Sequence, residues 1–411
     1  MADGHRPTML VLTQYYPPEP GAASIRLQAM AQQLAARGWT VNVVTAFPHH
    51  LGHHNPQYAG RVFARETDGP VSVLRTWIWA VRVGRLRRRL LNYFSFVATG
   101  FLGLWRQGRA DYILVESPPL FLGLSAYVYS RLRRIPYILS VSDLWPESAV
   151  ALGLVTNPTV IGATRRLEMF LYHHAYRVSA VTEGIRDTIR ETAALPPDRL
   201  LFAPNGVDVA GFAEAAADPA LVSELGLEGQ RVFLYPGTLG YAQGLGIILD
   251  AADLLRARTD ITFLLVGDGP VRAALVEEAR RRGLDRVRFV GLQPQARMPA
   301  YYALARAVVV PLKNHRLFRG ARPSKAFPAW AAARPVIFCG EGEMARVVAA
   351  SGAGVTVPPE DGAALAAAVA RYADMPTDAW ERLGQSGRHF VEQHYTWERI
   401  MQRWTEGLAP S

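Results

Sequence analysis

Short apolar runs rich in β-branched residues alternate with segments of helical periodicity along the whole chain. In the first half, the runs predicted as strands are MLVLT (9–13), TVNVVTA (40–46), DYILVES (111–117), PYILSVS (136–142), RVSAVT (177–182) and LLFAPNG (200–206). A helical segment ending at Gly38 follows the first of them, and a basic helical stretch precedes the third. Since strands that alternate with helices are typical of parallel sheets covered on both faces, this half predicts one α/β domain.

The same alternation starts again near the middle of the chain. The second series of predicted strands is RVFLYPGTLG (231–240), ITFLLVGDG (261–269), RVRFVG (286–291), AVVVPL (307–312), PVIFCG (335–340) and GAGVTVP (352–358). Two such arrays predict two Rossmann-like domains, with ligand-binding loops at the carboxyl ends of the strands. We place the first domain at 1–208, completed by a C-terminal helix at about 392–411, and the second at 209–391. The amphipathic tail helix is expected to pack across the junction between them.

Composition is that of a well-packed globular protein. The chain has 411 residues, of which 50% are hydrophobic and 19% charged. Its single cysteine, Cys339, lies in an apolar run, which excludes an internal disulfide and predicts a buried strand residue in a reducing compartment. The N-terminus lacks the features of a signal peptide. The most apolar window, 90–105, is interrupted by Asn92 and is too short for a membrane-spanning helix, so we expect a cytoplasmic protein.

Net charge is +10, and much of the basic character is concentrated in two runs, RVGRLRRRLL (82–91) and YSRLRRIPY (129–137). The first run leads directly into the apolar window 90–105. That pairing favours a helix lying on an anionic membrane surface at the inner face, and a solvated helix face is the alternative. No basic motif interleaved with aromatic residues accompanies the charge, so nucleic acid is not expected as a partner.

Motifs that would decide the chemistry directly are absent from the sequence. It contains no GxGxxG, no GxxxxGK[ST], no GxSxG and no HExxH. Four histidines in FPHHLGHHNP (47–56) lie in a Gly/Pro-containing loop, which lacks a regular element to fix metal-ligand geometry. We therefore expect no bound metal and no cofactor, and interpret this segment as a surface loop or one that closes on the ligand site.

Two strand-end loops of the first domain carry candidate chemistry. YYPPEPGAAS (15–24) enters a helix, and its small residues allow a ligand to approach backbone N–H groups at the helix N-terminus. Glu19, Gly21 and Arg26 are the candidate ligand-binding residues there. SDLWPES (142–148) places Asp143 and Glu147 at another strand end. The alternative for that turn is a capping aspartate beside a buried tryptophan.

Three loops of the second domain suggest a nucleoside-diphosphate site. PGTLGYAQGLG (236–246) and VGDGP (266–270), which contains Asp268, are glycine-punctuated and follow strands. PLKNHRLFRGARPSK (311–325) is basic and contains the only two lysines of the chain, Lys313 and Lys325. It also carries Arg322 and a potential N-cap, Ser324. Point charges beside a helix N-terminus are what a diphosphate requires, so Lys325 is the leading candidate ligand.

The chain resembles family 4 of the glycosyltransferases, and within it the bacterial polysaccharide enzymes of the N-acetylfucosamine and colanic-acid type. The resemblance spans nearly the whole chain and is carried by YYPPEPGAASIRL, GWTVNVVTAFP, SPPLFLGLSA, SDLWPES, PNGVD, GTLGYAQGL, VGDGP and RPSKAF…ARPVI. It implies the GT-B fold, with two Rossmann-like α/β domains whose parallel sheets face a central cleft. It also implies metal-independent transfer of a sugar, with retention, from a nucleotide-diphosphate donor to a saccharide, lipid-linked or natural-product acceptor.

The resemblance also implies roles for individual residues. Those expected around the donor are Gly237, Thr238, Gly240, Gln243, Ser324, Lys325 and Glu343. Those expected to face the sugar and acceptor are Glu19, Gly21, Arg26, Asp143 and Glu147. Lys325, Asp143 and Glu147 are the candidates for the catalytic machinery.

One departure from the family pattern lies beside Lys325. The pattern reads roughly P-S-K-x-x-E, and its glutamate usually holds the donor ribose, but this sequence has Pro328 at that position. If Ser324 caps the following helix, Pro328 also predicts that the helix begins late or is kinked. The departure leaves two alternatives to an active transferase. One is a degenerate relative that binds a partner or ligand without turnover, and the other is a different GT-B chemistry, such as a sugar-nucleotide 2-epimerase or a phosphorylase.

Overall fold

The structure, a computed structural model, describes residues 6–49, 56–80 and 86–408. The chain divides into two compact units, which are described separately below. The first comprises the residues up to Asn205 together with those from Trp397 onward, and the second comprises Gly206–Thr396.

An eight-stranded sheet forms the centre of the first unit. Its strands are β1 (Thr8–Leu12), β2 (Thr40–Ala46), β3 (Phe63–Asp68), β4 (Val71–Thr76), β5 (Tyr112–Ser117), β6 (Tyr137–Val141), β7 (Arg177–Ala180) and β8 (Leu200–Phe202). The strand order is β3-β4-β2-β1-β5-β6-β7-β8, and all neighbours are parallel except β3 and β4. The order reverses between β1 and β5, so the loops leaving these two strands flank the switch point where ligands of such sheets bind.

The hairpin formed by β3 and β4 replaces part of the helical stretch expected from the sequence. Asp68 pairs with Val71 across a two-residue turn, and Gly69 has a φ of 56°. The two turn residues are Gly69 and Pro70, and a glycine of positive φ at the first central position is typical of a tight hairpin. The helix of this interval begins later, at Leu86.

The helices of the first unit cover both faces of its sheet. They are α1 (Ala22–Ala36), α2 (Leu86–Gln107), α3 (Leu122–Arg133), α4 (Glu147–Ala151), α5 (Pro158–His174) and α6 (Glu183–Ala193). Local sequence fixes several starts; α5, for example, begins with a proline after Asn157, whose side chain accepts from the backbone N–H of Thr159 at 2.9 Å. Among the described residues, no helix is both long and apolar enough to cross a bilayer.

A six-stranded, fully parallel sheet forms the centre of the second unit. Its strands are β9 (Arg231–Pro236), β10 (Ile261–Val266), β11 (Val287–Val290), β12 (Ala305–Pro311), β13 (Val336–Cys339) and β14 (Gly354–Val357). They lie in the order β11-β10-β9-β12-β13-β14, so the order reverses between β9 and β12. Apolar clusters pack on both faces of the sheet, and Cys339 is fully buried in one of them. The prediction of two α/β domains built on parallel sheets is confirmed.

The helices of the second unit connect these strands. They are α7 (Val209–Ala213), α8 (Pro219–Glu224), α9 (Gly246–Leu254), α10 (Arg272–Arg281), α11 (Met298–Leu304), α12 (Ala326–Ala331), α13 (Glu343–Ser351), α14 (Gly362–Asp374) and α15 (Thr377–His394). The loops that leave β9 and β12 reach α9 and α12 from the switch point of this sheet. This position brings the glycine-punctuated and basic loops together.

The last helix, α16 (Trp397–Glu406), belongs to the first unit. Its apolar face joins the core between α1 and the sheet through Ile400, Met401 and Trp404. The Trp404 indole N–H donates to the Ser179 hydroxyl at 3.0 Å. The amphipathic pattern of the tail therefore reflects burial against the first sheet.

Candidate functional site

The loop leaving β9 packs backbone against backbone on the loop leaving β10. Gly237 N–H donates to Val266 C=O at 2.8 Å, and Leu239 N–H donates to Asp268 C=O at 2.9 Å. A Cβ added at Gly267 would lie 2.0 Å from Gly237 O, and one at Gly269 would lie 2.3 Å from Leu239 O. The glycines of VGDGP are therefore required by close approach of the two loops, and they hold the 237–240 turn in place.

Side chains of the same two loops are arranged around this turn. The Asp268 carboxylate accepts from the N–H of Gly269 at 2.8 Å, so it is engaged within its own loop. A Cβ added at Gly240 would lie 2.7 Å from the Gln243 Oε1 atom, which shows that Gln243 folds back over the turn. Thr238 is exposed at its tip. Thr238 is thus the predicted donor residue whose side chain is most available on this loop.

Lys325 brings its ammonium group to the start of the turn. Its Nζ donates to the Tyr235 hydroxyl at 2.8 Å and lies 4.0 Å from the centroid of that ring. The Lys325 Cε atom lies 3.7 Å from where a Gly237 Cβ would stand. In the part of the chain that the structure describes, no carboxylate forms an ion pair with Nζ. Lys325 is partly buried, and this desolvation lowers its pKa to about 7.

The second lysine lies at the other end of the same loop. Lys313 N–H donates to Ala242 C=O at 2.9 Å, and its Cγ atom lies 3.3 Å from where a Cβ at Gly244 would stand. The Lys313 ammonium end is exposed. The only two lysines of the chain therefore contact the two ends of one glycine-rich loop, although only Lys325 is desolvated there.

Pro328 is accommodated at the start of α12. The helix begins at Ala326, one residue later than a Ser324 cap would give, and it carries no side-chain cap, so the expected N-cap role of Ser324 is wrong. A turn precedes it, in which Phe327 N–H donates to Ser324 C=O at 3.3 Å. Pro328 is the third helical residue, where the N–H has no intrahelical partner in any case. The proline therefore delays the helix without breaking it.

Arg322 and Glu343, both predicted to bind the donor, are held by each other. The Arg322 guanidinium forms an ion pair with the Glu343 carboxylate and donates to the Tyr395 hydroxyl at 3.1 Å. Both charged side chains are buried, with 6% and 2% of their side-chain surfaces exposed. The pair ties the basic loop to the first turn of α13. Glu341, two residues before Glu343, pairs with Arg319 at 3.0 Å on the surface.

The loop that leaves β1 brings Gly21 to the start of α1. Gly21 stands at the N-cap with a φ of 130°, and nothing lies within 4 Å of the space that a Cβ would occupy. The backbone is therefore accessible at this helix N-terminus, where N–H groups can bind an anion. Glu19, by contrast, is buried and accepts from the backbone N–H of His49, with 3.0 Å between its carboxylate and the His49 Nδ1 atom.

Arg26 is buried beneath this loop. Its guanidinium forms an ion pair with Glu116 at the end of β5 and donates to the Ser140 hydroxyl of β6 at 3.0 Å. Burial raises the pKa of Glu116, and the Arg26 charge acts in the opposite direction. Glu116 was not identified from the sequence, because its strand reads as a continuous apolar run. Arg26 therefore ties the beginning of α1, which follows this loop, to β5 and β6.

The turn after β6 collects several carboxylates. Asp143 is exposed to solvent at this turn. Partial desolvation by the surrounding protein nevertheless raises its pKa to about 6, and a hydrogen bond from Ser148 opposes the shift. Glu147 begins α4 and is held by Arg165 through two hydrogen bonds, of 2.7 and 2.9 Å. Glu168, which the sequence did not identify, is buried beside them, and burial raises its pKa to about 7.

A polar network that the sequence did not predict lies beside the first loop. Gln14 Nε2 donates to Asn92 Oδ1 at 2.8 Å and lies 3.3 Å from His49 Nε2, and all three side chains are buried. The signal for it was Asn92, the polar residue within an apolar helix. The other histidines of the 47–56 segment lie outside the described residues. Within the described ranges, no group of three or more metal-ligating side chains occurs.

Comparisons with known proteins extend across both units. A family model described as "Glycosyl transferase 4-like domain" matches residues 21–206, and one described as "Glycosyl transferases group 1" matches residues 230–374. The putative colanic acid biosynthesis glycosyl transferase WcaI of Escherichia coli (strain K12) is 28% identical over 71% of this chain and 73% of its own. The probable glycosyltransferase WbjE of Pseudomonas aeruginosa is 26% identical over 71% of this chain and 72% of its own.

Solved structures share the architecture at lower identity. Anabaena HepE, crystallised with UDP and glucose, aligns with a TM-score of 0.72 over 97% of this chain and 98% of its own. The two sequences are 19% identical. At that level of identity the likeness concerns the fold.

Proposed function

The chain belongs to family 4 of the glycosyltransferases, with the GT-B fold, and from this premise we propose that it transfers a sugar from a nucleoside-diphosphate donor to an acceptor hydroxyl. The observation that carries the proposal is the desolvated Lys325 ammonium beside Gly237, at the switch point of the second sheet. A cation without a carboxylate partner among the described residues is suited to an anionic ligand. HepE, which has the same fold, binds UDP at its own site.

We propose a reaction that retains the anomeric configuration. The bond between the sugar C1 and the donor phosphate oxygen breaks, the acceptor hydroxyl oxygen bonds to C1 on the same face, and its proton passes to the departing phosphate oxygen. Lys325 offsets the negative charge that develops on the leaving diphosphate. Because this cation acts in place of a divalent metal, transfer should proceed at an unchanged rate in the presence of EDTA.

The first unit supplies the acceptor side in this proposal. Gly21 offers accessible backbone at the start of α1, and Asp143 offers a carboxyl group that is mostly ionised at pH 7, given its pKa of about 6. The ion pair of Arg26 with Glu116 keeps the loop in position. Glu147 is held by Arg165, which leaves Asp143 as the carboxylate we assign to an acceptor hydroxyl.

A panel of nucleotide sugars tests the proposal and its alternatives. UDP-, GDP-, ADP- and dTDP-linked sugars are screened for an increase in the thermal midpoint, and the binders are then incubated with and without acceptor. Transfer or slow hydrolysis of a binding donor supports the proposal. Rearrangement of the donor sugar without acceptor would indicate an epimerase. No thermal shift with any nucleotide sugar, together with no turnover, would indicate a non-catalytic relative.

Restoring the family carboxylate should strengthen donor binding. Pro328→Glu places an acid on the third residue of α12, a favourable helix position, and a charged hydrogen bond to the ribose should raise donor affinity about tenfold. Calorimetry with the best donor of the panel measures the change, and Pro328→Ala is the control for removing the proline alone. Equal affinities of the two variants would show that the ribose does not contact this position.

We further propose that the first unit rests on the inner face of an anionic membrane and takes a lipid-linked saccharide. Exposed apolar side chains recur on one face of α2 at Leu91, Phe94, Leu102 and Trp105, with spacings of one and two helical turns. The neighbouring helix α3 also exposes apolar side chains, namely Val128 and Leu132, which are 42% and 61% exposed. Exposed arginines occur on these two helices or just beyond their ends, namely Arg106, Arg109, Arg131 and Arg134, and the Arg133 guanidinium lies 4.3 Å from the centroid of a Trp105 ring. A basic rim around an apolar face suits anionic lipid.

Polar substitutions on this face should weaken membrane binding. Leu91→Gln with Leu102→Gln removes two leucines that are 56% and 52% exposed, so we expect binding to phosphatidylglycerol-containing vesicles to fall about tenfold at an unchanged thermal midpoint. Vesicle sedimentation measures the effect, and the control is Leu254→Gln, which replaces a leucine of the second unit that is 63% exposed. If the double variant sediments like the wild type, a soluble acceptor is favoured. The side chains of Arg87 and Arg88, expected to contribute from the sequence, lie outside the described residues.

A further inference from the structure

Tyr235 connects the two loops that form the candidate donor site. It is the next-to-last residue of β9, the strand adjacent to the switch point, and its ring is 1% exposed. The hydroxyl accepts a hydrogen bond from Lys325 Nζ at 2.8 Å and donates one to Thr238 C=O at 2.6 Å. One atom thus connects the ammonium group of the basic loop with the glycine-rich turn after β9.

The support that Tyr235 gives to Lys325 is electrically neutral. Burial keeps the pKa of Tyr235 well above its ordinary value, so the hydroxyl stays protonated at any physiological pH. Its ring face, 4.0 Å from Nζ, adds a cation–π attraction. A carboxylate in this place would neutralise the ammonium, whereas a phenol holds it and leaves its charge available to an anion.

The neighbouring Arg322 is held differently from Lys325. Arg322, three residues before Lys325, is neutralised by Glu343 and has no charge to offer a ligand. Among the described residues, Lys325 is held by a phenol and its ring instead. Arg322 therefore anchors the basic loop, whereas Lys325 faces the 237–240 turn.

We propose that Tyr235 is the positioning residue for the donor diphosphate, acting through Lys325. This inference rests on the proposed function. It adds that Tyr235 determines both the position of the Lys325 ammonium group and the conformation of the 237–240 turn. It fixes the Lys325 side chain before the ligand arrives, which lowers the entropy lost on binding. Tyr235 itself does not contact the diphosphate.

A double-mutant cycle tests the proposal. Wild type, Tyr235→Phe, Lys325→Met and the double variant are titrated by calorimetry with UDP, GDP, ADP, CDP and dTDP, and the tightest binder is used throughout. Tyr235→Phe keeps the ring and loses the hydroxyl, so affinity should fall about tenfold in the wild-type background. In the Lys325→Met background the same change should lower affinity by less than about threefold, because the group positioned by the hydroxyl is absent.

Tyr302→Phe provides the matched control. The Tyr302 hydroxyl donates to the backbone C=O of Lys325 at 3.2 Å, so it contacts the same residue without contacting Nζ. Its effect on affinity should be equal in both backgrounds, and the thermal midpoint of every variant reports general loss of structure. Equal effects of Tyr235→Phe in both backgrounds would overturn the positioning role. Failure of every nucleoside diphosphate to bind the wild type would instead overturn the proposed function.

Discussion

Replacing Lys325 with methionine should lower the rate of sugar transfer by about 100- to 1000-fold, the range observed when a preorganised group that stabilises developing negative charge is removed. Methionine has a similar length and keeps an apolar contact with the Tyr235 ring, so the fold should be unaffected. Lys325 supplies the desolvated positive charge beside Gly237, where the leaving diphosphate gathers charge. Steady-state kinetics with the donor identified in the panel measure the loss.

Arg316→Met is the control for this experiment. Arg316 belongs to the same basic loop, but its side chain is exposed to solvent. Screening by water and salt makes the contribution of such a charge small, so the control should keep its rate within about threefold of the wild type. A Lys325→Met enzyme that kept more than about a third of the wild-type rate would remove Lys325 from the catalytic machinery.

Removing the carboxylate of Glu343 should destabilise the second unit by about 3–5 kcal/mol, because the buried Arg322 charge is then left without its partner. The free energy of unfolding, measured by urea denaturation of Glu343→Ala, gives this value. Glu341→Ala breaks the exposed pair with Arg319 and should cost less than about 1 kcal/mol, which makes it a matched control.

The double variant Arg322→Met with Glu343→Leu tests whether this ion pair stabilises the fold or binds the donor. Apolar residues of similar size often replace a buried ion pair without loss, so the double variant should recover most of the free energy of unfolding. Recovery with unchanged donor affinity would support the structural role. Should Glu343→Ala instead keep its stability and lose donor affinity, the carboxylate belongs to the donor site, as the sequence predicted.

The architecture could be read from the sequence because local patterns report it directly. Runs such as ITFLLV at β10, buried along their full length, are typical of parallel strands between two layers of helices. The β3–β4 hairpin was missed because one of its strands, FARETD, is largely polar. Antiparallel edge strands with one solvated face give a weaker signal than buried central strands.

The candidate site was predicted in part. The loops that carry it were identified, since glycines and lysines are visible in a sequence and strand ends converge at the switch point. The ion pairs between distant residues were not predicted, because a sequence shows which residues are charged but not which of them form pairs. Arg26 and Arg322 looked available to ligands, whereas Glu116 and Glu343 bind them within the core. Tyr235 was overlooked because a strand tyrosine usually indicates nothing beyond packing.

Binding of a nucleoside diphosphate at pH 8 tests the central claim most directly, namely that the donor diphosphate is held by Lys325. With a pKa of about 7, most Lys325 side chains are neutral at pH 8, and a diphosphate beside them favours the ammonium form and raises that pKa. Binding should therefore take up about one proton, and affinity should fall as pH rises above 7, up to the pKa of the bound form.

Calorimetry of the wild type in two buffers of different ionisation enthalpy measures this uptake. The account predicts uptake of about one proton by the wild type and none by Lys325→Met, which has no group to protonate there. No heat with any nucleoside diphosphate, or equal proton uptake by the two proteins, would contradict it.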